Sequence, residues 1–205
     1  MARNSANGSG SRYADAAERL LRSTVLDSVS DLLIEVEWDK LSMSAIAAVA
    51  GVSRQTLYNE FGGREGLAEA YVIREAGRFL DAVETSVADH RDSLVDAMEA
   101  AMRSVLVIAD THPALRAIVA GTGSPELLEP LVSSPDGPVV DLAAGRLAAI
   151  LEVHWPAVDP ADFEVLSDAV VRLALSHLTQ PRLGIDEAVA AMLRVLAPYL
   201  RTLEA

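Results

Sequence analysis

The sequence predicts an all-α protein in two parts, on three observations. Apolar residues recur at spacings of three and four along most of its 205 residues, the period of helices with one buried face. The stretches between these patterns are short and rich in Gly, Pro, Ser and Asp, and proline stands at or near the start of several helices, where its missing N–H costs nothing. Charge is also unevenly divided: residues 1–78 hold nine Lys/Arg and eleven Asp/Glu, whereas the remainder holds eight and nineteen, so most of the net −13 lies in the second part.

Composition narrows the class further. The hydrophobic share is 51% and mean hydropathy is +0.24, yet no uninterrupted apolar run approaches the roughly 18 residues of a membrane span. The start, Met1 to Ser11, is polar and Gly/Ser-rich and has no apolar core of a signal peptide. With no cysteine, disulfides and thiolate metal sites are excluded.

In chain order, Met1 to Arg12 has the composition of a disordered arm. From Tyr13 to about Val36 the positions Ala17, Leu20, Leu21, Val25, Val29, Leu32, Leu33 and Val36 form one amphipathic stripe. Trp38 and Leu41 are expected to fill the corner that follows. Ser42 is a good N-cap for a short helix carrying Ala45, Ile46, Val49 and Ala50 on one face. Gly51 then supplies a left-handed residue, which costs other residues about 1–2 kcal/mol. Val52 plugs the turn and Ser53 caps a second short helix from Arg54 to about Glu60. The small Ala47 and Ala50 let the two helices cross closely, and Leu57 and Phe61 turn inward. Arg54, Gln55, Thr56, Tyr58 and Asn59 are left on or near the outward face, a set suited to phosphates and base edges. This is the layout of a helix-turn-helix.

Gly62-Gly63 ends the second short helix, and a long connecting helix is expected from Arg64 to about Ala88. Further helices are expected over 91–110, 113–120, 125–132, 138–154, 160–179 and 185–203. The last two are apolar on more than one face, which calls for more than one partner. The resulting division is an arm (1–12), a helix-turn-helix domain (13–63), a connecting helix (64–88) and a second domain (89–205).

The run from Leu41 to Leu67 carries Ile46-Ala47, Ala50-Gly51-Val52-Ser53, Thr56-Leu57-Tyr58, Phe61 and Arg64-Glu65-Gly66-Leu67. In these residues it resembles the DNA-binding domain of the TetR family of transcriptional regulators. The resemblance implies a cytoplasmic homodimer that binds double-stranded palindromic DNA, with half-sites about one helical turn apart, roughly 34–36 Å or a little more. It implies that Ser42, Ser44, Thr56 and Tyr58 bond phosphates and that Arg64 adds a charge there. Gln55 and Asn59 are amides suited to adenine, and Arg54 to guanine or phosphate. Ser42 and Ser53 also have a purely structural use as caps.

For the second domain the resemblance implies a pocket for a small hydrophobic effector. Candidate lining residues are Met98, Met102, Leu106, His112, Leu115, Leu151 and Trp155; a solid core built from the same residues is the alternative. The expected dimer face is Phe163, Leu166, Val170, Leu173, Leu193, Leu196 and Leu200. Three departures from the family stand out: Glu37 replaces the usual Gly at the end of the first helix, the acidic Glu60 stands where a His is common, and Arg64 stands where a Lys is commoner, which keeps the charge.

No metal and no cofactor are expected, because His90, His112, His154 and His177 show no metal-ligand spacing. Enzyme chemistry is not expected either. No nucleophile–base set, Walker loop or dinucleotide fingerprint is present. The function that the resemblance implies is a ligand-responsive repressor. The alternative is a helical ligand-binding or protein-interaction module without DNA affinity, for which Glu60 and the acidic balance are the hints.

Overall fold

The computed structural model describes residues 7–112, 124–132 and 138–204. Among these the secondary structure is helical, in the order α1 (Asn7–Glu35), a 3-10 turn (Trp38–Lys40), α2 (Met43–Ala50), α3 (Arg54–Phe61), α4 (Arg64–Asp89), α5 (Leu94–Thr111), α6 (Pro125–Val132), α7 (Pro138–His154), α8 (Pro160–Thr179) and α9 (Ile185–Leu203). No helix among the described residues is long and apolar enough to cross a membrane. Contacts divide the chain into two compact units, Met1–Tyr71 and Val72–Ala205, so the boundary falls inside α4. The expected helix over 113–120 and the candidate residue Leu115 lie outside the described residues.

In the first unit α1 begins at Asn7, six residues before the expected start, so the second half of the expected arm is helical. Of its expected stripe Val25 and Val29 are buried, Leu26 beside them is buried too, and Leu20 is exposed. The corner after α1 closes on Trp38 and Leu41, both nearly inaccessible. Glu37 tolerates the position because its backbone is extended, φ −63° and ψ 148°, a conformation open to any residue. Helices α2 and α3 then follow with the caps the sequence suggests. Ser42 Oγ accepts from Ala45 N–H at 3.1 Å, and Ser53 Oγ accepts from Thr56 N–H at 3.0 Å. Gly51 is left-handed at φ 69°, and Gly62 at φ 73° ends α3.

The second unit is built on helices α5, α7, α8 and α9. Helix α8 packs most extensively on α7, and α9 on α5. The α5–α9 pair is antiparallel: Leu94 N–H at the start of α5 donates to the Glu204 carboxylate just after α9, while Arg103 pairs with Asp186 in the first turn of α9. Ser93 caps α5 and Asp159 caps α8 through their side-chain oxygens. Leu94, Met98, Leu151, Phe163, Leu166, Met192 and Leu200 are almost completely enclosed in one core. Burial of each such side chain stabilises by about 1.5–3 kcal/mol relative to exposure.

This packing corrects the expected dimer face. Phe163, Leu166, Val170, Leu196 and Leu200 are buried within a single chain, and Leu173 and Leu193 are partly buried against the same core. The widest apolar stripe of each helix has turned inward. Val165, Val195 and Tyr199, at 66%, 70% and 37% exposure, are the large apolar side chains that α8 and α9 leave exposed.

Candidate nucleic-acid interface

The reading pair is assembled by short-range chemistry. Ser42 starts α2, Gly51 reverses the chain, and Ser53 starts α3. Leu57 and Phe61 anchor α3 from beneath, at 0% and 7% exposure. This fixes the orientation of everything else on the helix. Arg54, Gln55, Tyr58 and Asn59 are exposed, as are Ser42 and Ser44 on the neighbouring helix, while Thr56 is half-buried. The first turns of α2 and α3 present backbone N–H groups, which favour an anion.

Several of these groups are already organised. The Gln55 side-chain amide donates to the Asn59 side-chain oxygen at 2.7 Å, so the two amides form a pair one turn apart on the outer face. The Thr56 and Ser53 hydroxyls are 2.7 Å apart and share a hydrogen bond. A bidentate contact from either amide to adenine would have to replace or share the Gln55–Asn59 bond.

Two residues in the unit behave differently from a simple charge count. Glu60 sits in an ion pair with Arg22 of α1, 2.7 Å long, and its side chain is only 12% exposed. The same guanidinium lies 5.0 Å from the centre of the Phe61 ring. The carboxylate is therefore neutralised from behind the helix and turned from the outer face. Arg22 stands 38 residues away in sequence, so helical spacing gives no sign that it meets Glu60.

Arg64 is the second. Its guanidinium donates to the carbonyls of Trp38 and Leu41 and stacks 4.7 Å from the centre of the Trp38 ring. It does not project outward with Arg54.

The second unit places its candidates as follows. Met98, Met102, Leu106 and Leu151 are packed into the core, and Trp155 is partly buried against it. A groove of about 220 Å³ is lined by Leu106, Ala109, His177, Leu178 and Ile185 with their neighbours, and shares only Leu106 with the expected set. His112 lies elsewhere: its Nε2 is 3.0 Å from Glu75 Oε2, and its ring packs edge-on against Phe79 with centres 5.7 Å apart.

Glu75 is a buried carboxylate on α4 that also accepts from Arg74 at 2.7 Å and Arg78 at 3.2 Å. Burial alone would raise its pKa. The bonds from His112 and Arg74, with the charges of Arg74 and Arg78, outweigh that and hold the carboxyl below its ordinary range. Its signal in the sequence was a Glu three and four residues from Val72 and Tyr71 and four from Phe79, inside an apolar stripe and flanked by two arginines. Of the remaining histidines, His90 Nδ1 lies 2.8 Å from the Ser86 carbonyl and His154 packs against Trp155.

Similarity to known proteins covers both units. Residues 25–71 match the family described as bacterial regulatory proteins, tetR family, and residues 93–198 match the tetracyclin repressor C-terminal domain. The chain is 36% identical over 187 residues to the HTH-type transcriptional regulator AlkX of Mycobacterium tuberculosis, covering 91% of this chain and 88% of that one. It is also similar to the crystal structure of the TetR family repressor AlkX from Dietzia sp. strain DQ12-45-1b, implicated in biodegradation of n-alkanes. That likeness has a TM-score of 0.78 and 30% identity, over 89% of this chain and 96% of that one. A Rhodococcus erythropolis repressor, QsdR, shares the fold at a TM-score of 0.58 and 23% identity, over 87% and 94% of the two chains. With an exposed reading helix on a capped helix-turn-helix and matches over most of its length, the chain belongs to the TetR family of transcriptional regulators and carries that family's DNA-binding domain.

Proposed function

We propose that the protein is a repressor that binds a palindromic operator as a homodimer and releases it when a small hydrophobic effector enters the second unit. The observation that supports this best is α3: inward Leu57 and Phe61 hold Arg54, Gln55, Tyr58 and Asn59 outward on a helix whose N-terminus is open to phosphate. One head reads too few base pairs for useful discrimination, so two copies are required, joined through the exposed apolar residues of α8 and α9. Ser42, Ser44 and Tyr58 position the head on phosphates, while Gln55, Asn59 and Arg54 read bases.

The effector is apolar, in keeping with the Leu-rich second unit. Likeness to an AlkX linked to n-alkane biodegradation supports a long-chain hydrophobe. Release follows if the effector binds more tightly to a conformer whose heads are wrongly spaced, a coupling commonly of about 1–3 kcal/mol.

The test is selection of binding sites from random duplexes, followed by fluorescence anisotropy with and without long-chain alkanes and fatty acids. Enrichment of an inverted repeat and weakened binding on adding one of those compounds are expected. Equal affinity for selected and random duplex at physiological salt would refute DNA recognition.

A further inference from the structure

We infer that Arg64 is a positioning residue of the DNA-binding unit: it clamps the entry and exit of the reading pair together and does not contact phosphate. This goes beyond the proposed function, on which only its DNA-binding readout rests.

The geometry supports the inference at three points. The guanidinium donates to two carbonyls, those of Trp38 and Leu41, which flank the corner before α2. Its Cζ also lies over the buried Trp38 ring, 4.7 Å from the ring centre. Arg64 itself opens α4, directly after Gly62-Gly63 has ended α3. The clamp therefore closes a segment that contains the whole of α2, the turn and α3. Leu41 immediately precedes Ser42, the N-cap of α2. Fixing the Leu41 carbonyl thus fixes where Ser42 and Ser44 stand relative to the start of α4.

A lysine would carry the same charge, but it is a compact ammonium that cannot span two carbonyls and stack on a ring at once. A phosphate ligand at this position would tolerate that exchange; a clamp would not.

The experiment compares wild type, Arg64→Lys and Arg64→Ala, all with Trp155→Phe so that Trp38 alone fluoresces. Without DNA, both variants are expected to red-shift Trp38 emission and to speed exchange of the Ala45 and Ile46 amides, which are bonded to Ser42. On a duplex selected by the wild-type protein, both are expected to bind at least about tenfold more weakly. The slope of log affinity against log salt is expected to stay at the wild-type value, since each lost phosphate contact would lower it by about 0.9.

Wild-type affinity for Arg64→Lys, with unchanged Trp38 emission and a slope lowered by about one in Arg64→Ala, would overturn the clamp. Where Arg64→Ala fails to fold, the lysine variant decides: unshifted emission and full affinity refute the inference. If the wild-type protein selects no sequence, the DNA reading fails on its own account, and emission and exchange still decide the clamp.

Discussion

The two units obtain their folds from different kinds of information. In Met1–Tyr71 the short helices α2 and α3 have eight residues each, too few to be stable alone, and their geometry depends on individual groups: two serine caps, two glycines at positive φ, and arginines tied to a carboxylate and to carbonyls. In Val72–Ala205 the helices are mostly two to three times longer, and their order follows from apolar stripes packed into one core. A fold fixed by single groups fails at one position. A fold fixed by a pattern fails in proportion to the volume removed.

The largest effect is expected where a large side chain leaves the second core. Phe163 is fully buried, and Phe163→Ala should cost about 3–5 kcal/mol. The cost is to be read in urea from Trp155 fluorescence in a Trp38→Phe background. Met98→Leu, which conserves volume at an equally buried site, should cost less than about 1.5 kcal/mol. If the two substitutions cost the same, the second unit is not governed by volume, and the contrast between the units disappears.

Next comes Gly66, in the first turn of α4. A Cβ there would stand 2.1 Å from the Phe61 carbonyl oxygen, a backbone atom that cannot swing away. Gly66→Ala should therefore destabilise the first unit by about 1–3 kcal/mol and weaken DNA binding with it, seen as a lowered unfolding midpoint reported by Trp38. An unchanged midpoint would mean that α3 and α4 can separate at this point without loss.

The same division explains what could be read from the chain. Ser42, Gly51 and Ser53 were legible because each corner demands a residue type that few others replace. The inward turn of Leu57 and Phe61 followed from helical spacing alone. The direction of Arg64 was not legible: a long cation on the first turn of a helix reaches either a phosphate or a nearby carbonyl, and spacing does not choose. The neutralisation of Glu60 was hidden because its partner Arg22 is distant in sequence. For the dimer face, α8 and α9 are apolar on two sides, so the pattern could not say which side the core would take. The structure gives it to Phe163 and Leu200 and leaves Val165 and Val195 outside.

Glu75 is the exception in the second unit, a single group on which local order depends. A carboxyl held below its ordinary pKa stabilises the fold above its unfolded value, and that contribution is lost as pH falls through the folded value. Glu75→Gln should lower stability by about 1–3 kcal/mol near neutrality, because His112, Arg74 and Arg78 lose a buried acceptor charge. The gap from wild type should narrow as pH drops below the carboxylate range. Urea titrations at several pH values, followed through Trp155, would show this; a gap that widens on acidification would reverse the sign argued here.

The smallest effect has the opposite sign and tests the comparison most directly. Gly145 lies in the interior of α7, exposed, and a Cβ there would meet nothing within 4 Å. Glycine in such a place only adds conformational freedom to the unfolded chain, so Gly145→Ala should stabilise the second unit by about 0.5–1 kcal/mol. The substitution that damages α4 at Gly66 thus improves α7. Both are changes of one methyl group at a helical glycine, so their difference isolates surroundings from chemistry. A stabilised Gly66→Ala or a destabilised Gly145→Ala, each measured through the tryptophan of its own unit, would show that the two units are not distinguished by single contacts in one and pattern in the other.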